Sequence, residues 1–275
     1  MPTAEAAAPE AALDRLRGRL RELDRVVVAF SGGADSAFLA WVAHDTLGAE
    51  RALAVTAVSP SLAPAEHDDC RALAAEWSLR WRPVSTEEMA NAAYRANDGD
   101  RCFYCKDALM DALEPVVAAE DATVVLGVNL DDLGDHRPGQ RAAADRGAAF
   151  PLVEAGFTKA DVRAASRALG LRTWDKPAAA CLASRLPYGT PVSAPVLAQV
   201  ARAEAALRAL GFVDLRVRHY DDVARLEVPL GTLDRVLTHR EAVVDAVHAA
   251  GYRYVTLDLE GLRSGNLNAA LGDRP

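Results

Sequence analysis

Apolar residues run along this chain in two rhythms. Leu13, Leu16, Leu20 and Leu23 recur at helical spacing, which predicts an amphipathic helix after an alanine-rich start. From Val26 to Phe30 the run "VVVAF" is apolar without a break, the pattern of a strand buried on both faces. The alternation then repeats. Strands are predicted at 51–58, 80–85 and 123–128, with helices at 65–77 and 104–119 between them. Apolar strands separated by helical stretches predict an α/β fold with a doubly wound parallel sheet covered on both sides.

From 151 to 190 the pattern becomes loop-rich, apart from a helix at 158–169 that Thr158 would cap and Gly170 would end. After Pro191 the order changes to a long helix (194–210), strands at 213–219 and 223–228, a helix at 239–249 and a strand at 252–259. That order predicts a small α+β domain. Two domains, 1–190 and 191–275, are therefore expected, and a length of 275 residues agrees with the usual size of about 100 to 200 residues per domain.

Composition narrows the class. Hydrophobic residues make up 51% and charged residues 25%, so the chain has material for real cores and is neither disordered nor fibrous. The net charge of −8 argues against a nucleic-acid partner. No apolar run reaches the roughly 18 residues of a membrane span, and the first residues lack signal-peptide order, so a cytoplasmic protein is expected. In that compartment Cys70, Cys102, Cys105 and Cys181 are thiols or metal ligands rather than disulfides.

Candidate chemistry begins at the break "SGGADS", residues 31–36. Gly32 and Gly33 let the backbone approach a ligand, and a helix starting near Asp35 would aim its free N–H groups into the same space. The arrangement suits a phosphate. It lacks the lysine of a Walker A loop. In "RCFYCK", Cys102 and Cys105 have C-x-x-C spacing, which on its own is compatible with zinc, a redox pair or neither. Cys181 stands alone in the loop-rich segment, and Cys70, within a helical segment, reads as a core thiol.

Ser-Gly-Gly-x-Asp-Ser directly after a buried strand resembles the pyrophosphate loop (PP-loop) of the ATP pyrophosphatase superfamily. The further stretches "VTAVSPSLAP", "RCFYCK", "GVNLDDLGDHRPG", "PLVEAGFTKADVR", "WDKPAAACLASRLPYG", "RVRHYDDVARLEV" and "YVTLDLEGLRSGNLN" together resemble one family, LarE. These are the ATP-dependent sulfur transferases of nickel-pincer nucleotide biosynthesis, which serve lactate racemase maturation. The resemblance implies that a carboxylate of pyridinium-3,5-biscarboxylic acid mononucleotide is adenylated with ATP and then converted to a thiocarboxylate. It implies phosphate contacts at Ser31, Gly32, Gly33 and Ser36, a magnesium ion or substrate group placed by Asp35, and adenosine beside Ser59, with Asn129 reaching ATP or substrate from a strand end.

Two sulfur sources occur in the family. In one, the cysteine equivalent to Cys181 gives up its own sulfur. In the other, three cysteines hold a 4Fe-4S cluster and transfer a sulfide bound at its open iron. The presence of Cys102, Cys105 and Cys181 together favours the second, since three thiolates leave one iron without a protein ligand. Basic and hydroxyl side chains should converge near them to hold the anionic substrate: Ser184 and Arg185, and Arg216 with Arg218, which alternate along a strand and share a face. Glu204 and Glu227 match acidic family positions, as divalent-metal ligands or as ion-pair partners of those arginines. Lys176 would balance charge on the adenylate, and Asp132, Asp135 and Arg137 would brace their loop or act in catalysis. The partners expected are the small nucleotide substrate, a sulfide donor and further copies of the chain. Two other readings remain: tRNA thiolation, which would need a basic surface, and a nucleotide-binding regulator, which would leave the three cysteines without a purpose.

Overall fold

The first strand, β1 (Val26–Ala29), buries both of its faces, and the rest of its unit is arranged around that fact. In this computed structural model, which describes residues 4–134, 138–177 and 180–263, helix α1 (Ala4–Leu23) precedes β1 and helix α2 (Ala34–Leu47) follows it. Next come β2 (Ala52–Val58), α3 (Pro64–Glu76), β3 (Arg80–Ser85), α4 (Ala92–Ala96), α5 (Arg101–Glu120) and β4 (Thr123–Leu126). The strands form a parallel sheet in the order β3-β2-β1-β4. Val26 lies opposite both Ala52 and Thr123, and Ala29 opposite Val55 and Leu126.

Alternation along β1 divides the core. Val26 and Val28 pack with Leu16 and Leu20 of α1 and with Phe38 and Val42 of α2. Val27 faces the other way, toward Leu109, Leu113 and Val116 of α5. Each such side chain fully buried is worth about 1.5–3 kcal/mol, so both faces of the sheet are committed. Helix α2 is apolar nearly all round, with Ala37, Phe38, Leu39, Ala40, Val42 and Ala43 buried, as a helix central to its unit must be.

The chain runs outward from β1 to β2 to β3 and then crosses back to place β4 on the other flank of β1. In open parallel sheets that reversal leaves a crevice at the carboxyl ends of the two strands where it occurs, and ligands bind there. Here those ends lead into Ser31–Ser36 and Gly127–Asn129. β4 stops two residues before its predicted end because the Val128 amide turns back onto the Leu126 carbonyl at 2.9 Å and leaves the ladder.

Beyond β4 come α6 (Pro138–Asp145), α7 (Pro151–Glu154) and α8 (Lys159–Ala168). Thr158 caps α8 in a capping box: its hydroxyl accepts from the Asp161 amide, and the Asp161 carboxylate accepts from the Thr158 amide. The short helices α4, α6 and α7 leave too brief a periodic trace to be read from sequence.

The chain divides into two compact units. One comprises Met1–Ser59, Glu66–Glu88 and Cys102–Ala179; the other Pro60–Ala65, Met89–Arg101 and Ala180–Pro275. The second unit holds α9 (Ala194–Ala209), β5 (Arg216–Tyr220), β6 (Val223–Glu227), α10 (Leu233–Thr238), α11 (Arg240–Ala249) and β7 (Tyr254–Leu257). β5 and β6 pair antiparallel, β6 and β7 parallel. Leu207, Phe212, Val217, Leu226, Val243 and Val247 form its core.

Two short segments join this unit from earlier in the chain, and residues 180–190 go with it, so its last segment starts eleven residues ahead of the break read from sequence. The physical reason is hydrogen bonding. The Leu182 amide donates to the Ser61 carbonyl at 2.9 Å, and Arg101 donates to the Ala183 carbonyl at 2.8 Å. Asn97, in the left-handed region at φ +57°, donates through its side chain to the carbonyls of Pro187 and Thr190.

Candidate functional site

In the first unit, the loop after β1 is shaped by its own hydroxyls. The Ser31 amide donates to Ser36 Oγ at 3.2 Å, the two serine hydroxyls lie 2.9 Å apart, and Ser36 Oγ donates to the Gly33 carbonyl. Gly32 has φ +70°, a conformation that L side chains rarely adopt. Gly33 stands at the N-cap of α2 and makes no side-chain cap bond, so the first amides of the helix depend on an external acceptor. Backbone N–H groups and the dipole together favour an anion at that point.

Gly127, which sequence reasoning passed over, makes this loop possible. A Cβ there would fall 2.8 Å from the Ser36 amide nitrogen and 2.9 Å from the Asp35 carbonyl carbon. Both are backbone atoms that cannot yield, so only glycine lets β4 approach the start of α2 so closely. The available signal was a glycine directly after a buried strand.

Asp35, in the first turn of α2, is half-buried, and burial pushes its carboxyl above the ordinary aspartate range. Lys159 and a hydrogen bond from Asn129 oppose that rise, while Asp132 adds to it. Asn129 sits at the centre of a small network. Its Nδ2 donates to Asp35 Oδ1 at 3.2 Å, its Oδ1 accepts from the Asp131 amide, and its own amide donates to Asp132 Oδ2. Asn129 is wholly buried; in this arrangement its amide group orients Asp35 and does not point to open space. Asp132 braces the same turn, while Asp135 and Arg137 lie outside the described residues. Ser59, at the end of β2, donates to the buried Glu88 carboxylate, another residue that the linear pattern did not single out.

Lys176, expected to balance charge on an adenylate, is seated here among protein acceptors. Its ammonium donates to Glu66 Oε2 at 2.8 Å, to Asp69 Oδ2 at 2.7 Å and to the Gly32 carbonyl at 3.1 Å. Burial works against its charge, but the bonds to Asp69 and Glu66 outweigh that and hold its pKa above the ordinary lysine value. Its charge is balanced by protein carboxylates.

The four thiols fall into two kinds. Cys70, on α3, is fully buried, and burial pushes its pKa up to about 11, which makes it a poor nucleophile or ligand. Cys102 is exposed and Cys105 half-buried, one helical turn apart at the start of α5 and so on one flank of it. Cys181 is exposed at the head of a 3₁₀ turn, Leu182–Arg185, in the second unit. Accessible thiols are the donor type that iron-sulfur clusters take. Among the described residues no group of three His, Cys, Asp or Glu side chains is gathered to hold a metal ion.

In the second unit, the segment after Cys181 is tied into a nest of charge. Arg185 is buried and donates to the Ala180 carbonyl at 2.7 Å, to Ser184 Oγ at 3.1 Å and to both carboxylate oxygens of Glu204. Glu204 also accepts from Arg208 and from the Val217 amide. Burial alone would raise its pKa, but Arg185 leads the groups that hold it below the ordinary glutamate range. Arg218 donates to the Ser184 carbonyl at 2.7 Å and to Glu227 at 2.8 Å, and Arg225 meets the other oxygen of Glu227. Glu204 and Glu227 are therefore ion-pair partners here, both fully buried. Arg216 and Arg218 do not form a symmetric fork: Arg218 is paired and buried, whereas Arg216 is half-buried and donates to the Arg263 carbonyl. Burial, then the charges of Arg218 and Arg185, lower the pKa of Arg216. Three guanidiniums thus crowd one region.

No helix among the described residues is long and apolar enough to cross a membrane. The chain matches the NAD synthase family over residues 11–108. It is 38% identical over 253 residues to a pyridinium-3,5-bisthiocarboxylic acid mononucleotide synthase of Lactiplantibacillus plantarum, covering 92% of each chain. It is 45% identical over 265 residues to an uncharacterized protein of Synechocystis sp., covering 95% of this chain and 98% of the relative. An uncharacterized protein of Methanocaldococcus jannaschii is 23% identical over 256 residues, 92% of this chain and 97% of that protein.

Proposed function

The chain belongs to the LarE family of pyridinium-3,5-bisthiocarboxylic acid mononucleotide synthases, and from that membership we propose that it transfers sulfur to an adenylated carboxylate of pyridinium-3,5-biscarboxylic acid mononucleotide. A carboxylate oxygen attacks the α-phosphorus of ATP, pyrophosphate leaves, and sulfur then displaces AMP from the acyl carbon to leave a thiocarboxylate. The observation that carries this reading is the placement of Cys181. An exposed thiol heads the turn whose Ser184 and Arg185 lead into the guanidinium group of Arg185, Arg216 and Arg218.

The residues divide the work. Ser31, Gly32, Gly33 and Ser36 hold the β- and γ-phosphates through backbone amides and hydroxyls, at the end of α2 that favours negative charge. Asp35, oriented by Asn129, would hold Mg2+, which would supply positive charge to the phosphates and draw the raised Asp35 pKa back down. Ser59 stands at the adenosine. In the second unit, Arg216 takes the substrate's phosphate, because an anion there relieves the mutual repulsion of three guanidiniums. Glu204 and Glu227 fix Arg185 and Arg218 in place. Cys102, Cys105 and Cys181 would hold a 4Fe-4S cluster, which would supply a transferable sulfide at its open iron. The chain acts as a homo-oligomer, with a sulfide donor as its second partner.

Anaerobic preparation tests this reading. Wild type should carry iron and sulfide, release pyrophosphate only when ATP and the pyridinium substrate are both present, and form thiocarboxylate over many turnovers. Cys102→Ala should lose the iron and keep pyrophosphate release. Iron-free protein that thiolates once, with Cys181 converted to dehydroalanine by mass, would replace the cluster with sacrificial sulfur. Pyrophosphate release that requires tRNA would overturn the substrate.

A further inference from the structure

Lys176 meets three acceptors with the three N–H bonds an ammonium offers: Glu66 at 2.8 Å, Asp69 at 2.7 Å and the Gly32 carbonyl at 3.1 Å. Glu66 and Asp69 lie three residues apart on α3 and present one face to it. The same helix supplies the wall of the loop. A Cβ on Gly32 would fall 2.9 Å from Cys70 Sγ and 3.7 Å from a methyl of Leu73, both on α3. Asp69 also accepts from Arg172 at 2.7 Å. Arg172 also donates to Glu76 at 2.8 Å, so three carboxylates face two cations and the group as a whole offers phosphates little Coulombic attraction. What it does offer is geometry, because it grips the carbonyl of the one loop residue held at positive φ.

We propose that Lys176 is a positioning residue for ATP: held by Glu66 and Asp69, it fixes Gly32 so that the loop amides face the phosphates, and it does not reach the phosphates itself. The proposal rests on the reading that residues 31–36 take ATP. It assigns to the "WDKP" segment a task distinct from that of Cys181, five positions further on, and gives the acidic face of α3 a purpose.

Calorimetric titration of the full chain with ATP and, separately, with adenosine tests it. Adenosine lacks the groups the loop receives, so it reports whether the rest of the nucleotide site is intact. Lys176→Met should weaken ATP about tenfold, the scale of a hydrogen bond to a charged group, and leave adenosine within about twofold. Lys176→Arg should recover part of the loss. The paired change Glu66→Gln with Asp69→Asn decides the role. If the lysine positions the loop, removing its seat weakens ATP as well; if the lysine reaches phosphate, releasing it from the carboxylates tightens ATP. Tighter ATP in that double variant, or unchanged ATP in Lys176→Met, overturns the proposal. Should Lys176→Met fail to fold, the double variant and Lys176→Arg carry the same test. A wild type that binds no ATP overturns the nucleotide reading itself, and the proposal with it.

Discussion

Two regions of this molecule are suited to anions, and they are built in opposite ways. The loop at 31–36 uses backbone amides, a left-handed glycine and the open start of α2. Its one carboxylate, Asp35, has a raised pKa. The second region, around Arg185, Arg216 and Arg218, uses side chains drawn from a 3₁₀ turn and a strand, held by carboxylates whose own charges are buried. The difference teaches where each is vulnerable. A loop made of backbone breaks when a neighbour gains an atom; a nest of paired charges breaks when one partner is removed.

The largest expected effect follows from the second case. Glu227→Ala would leave Arg218 and Arg225 without their shared carboxylate, and with Arg218 buried the second unit should lose about 3–5 kcal/mol of stability. Urea unfolding followed by far-ultraviolet circular dichroism measures it, and a loss under about 1 kcal/mol would show that the nest is solvated.

Gly127→Ala comes next. Its methyl would press on the Ser36 and Asp35 backbone, an overpacking that costs about 1–3 kcal/mol and should also weaken ATP. All four tryptophans, Trp41, Trp77, Trp81 and Trp174, lie in the first unit, so their fluorescence should report this loss. A stable variant with unchanged ATP affinity would mean that β4 can retreat.

Acidity separates the regions by sign. The depressed pKa of Glu204 contributes stability present above its unfolded value and lost as pH falls through its folded value. Glu204→Gln should therefore cost most at neutral pH and progressively less in acid. The raised pKa of Asp35 acts in reverse: ionising it in the fold costs stability as pH rises past the ordinary aspartate value. Asp35→Asn should stabilise the first unit near neutral pH, lose that gain in acid, and impair magnesium-dependent ATP binding. If thermal unfolding at several pH values gives the two variants the same sign, the contrast fails.

The smallest effect belongs to the surface. Arg71 and Asp68 pair at 2.9 Å with more than half of each side chain in solvent, so Arg71→Ala should change stability by less than about 1 kcal/mol and ATP affinity not at all.

Much of the first unit was legible because its signals are local. A continuous apolar run marked β1, two glycines marked the loop after it, and Thr158 marked the start of α8. The second unit was legible in outline, since its helices and strands keep their periods, but its extent was not. Residues 60–65 and 89–101 enter it through hydrogen bonds such as Leu182 to Ser61 and Arg101 to Ala183, and no periodicity encodes a bond across 82 positions. For the same reason Glu66 and Glu88 drew no notice.

Sequence by itself determined the order of strands along the chain, the glycine loop, the spacing of Cys102, Cys105 and Cys181, and the family. These are properties of residue type and spacing. Only the tertiary structure decided what each charge does: that Lys176 faces Glu66, Asp69 and Gly32, that Asn129 serves Asp35, and that Glu204 and Glu227 are spent on arginines. A charge takes its role from its nearest opposite charge and from its distance to water, and both are set by residues remote in the chain.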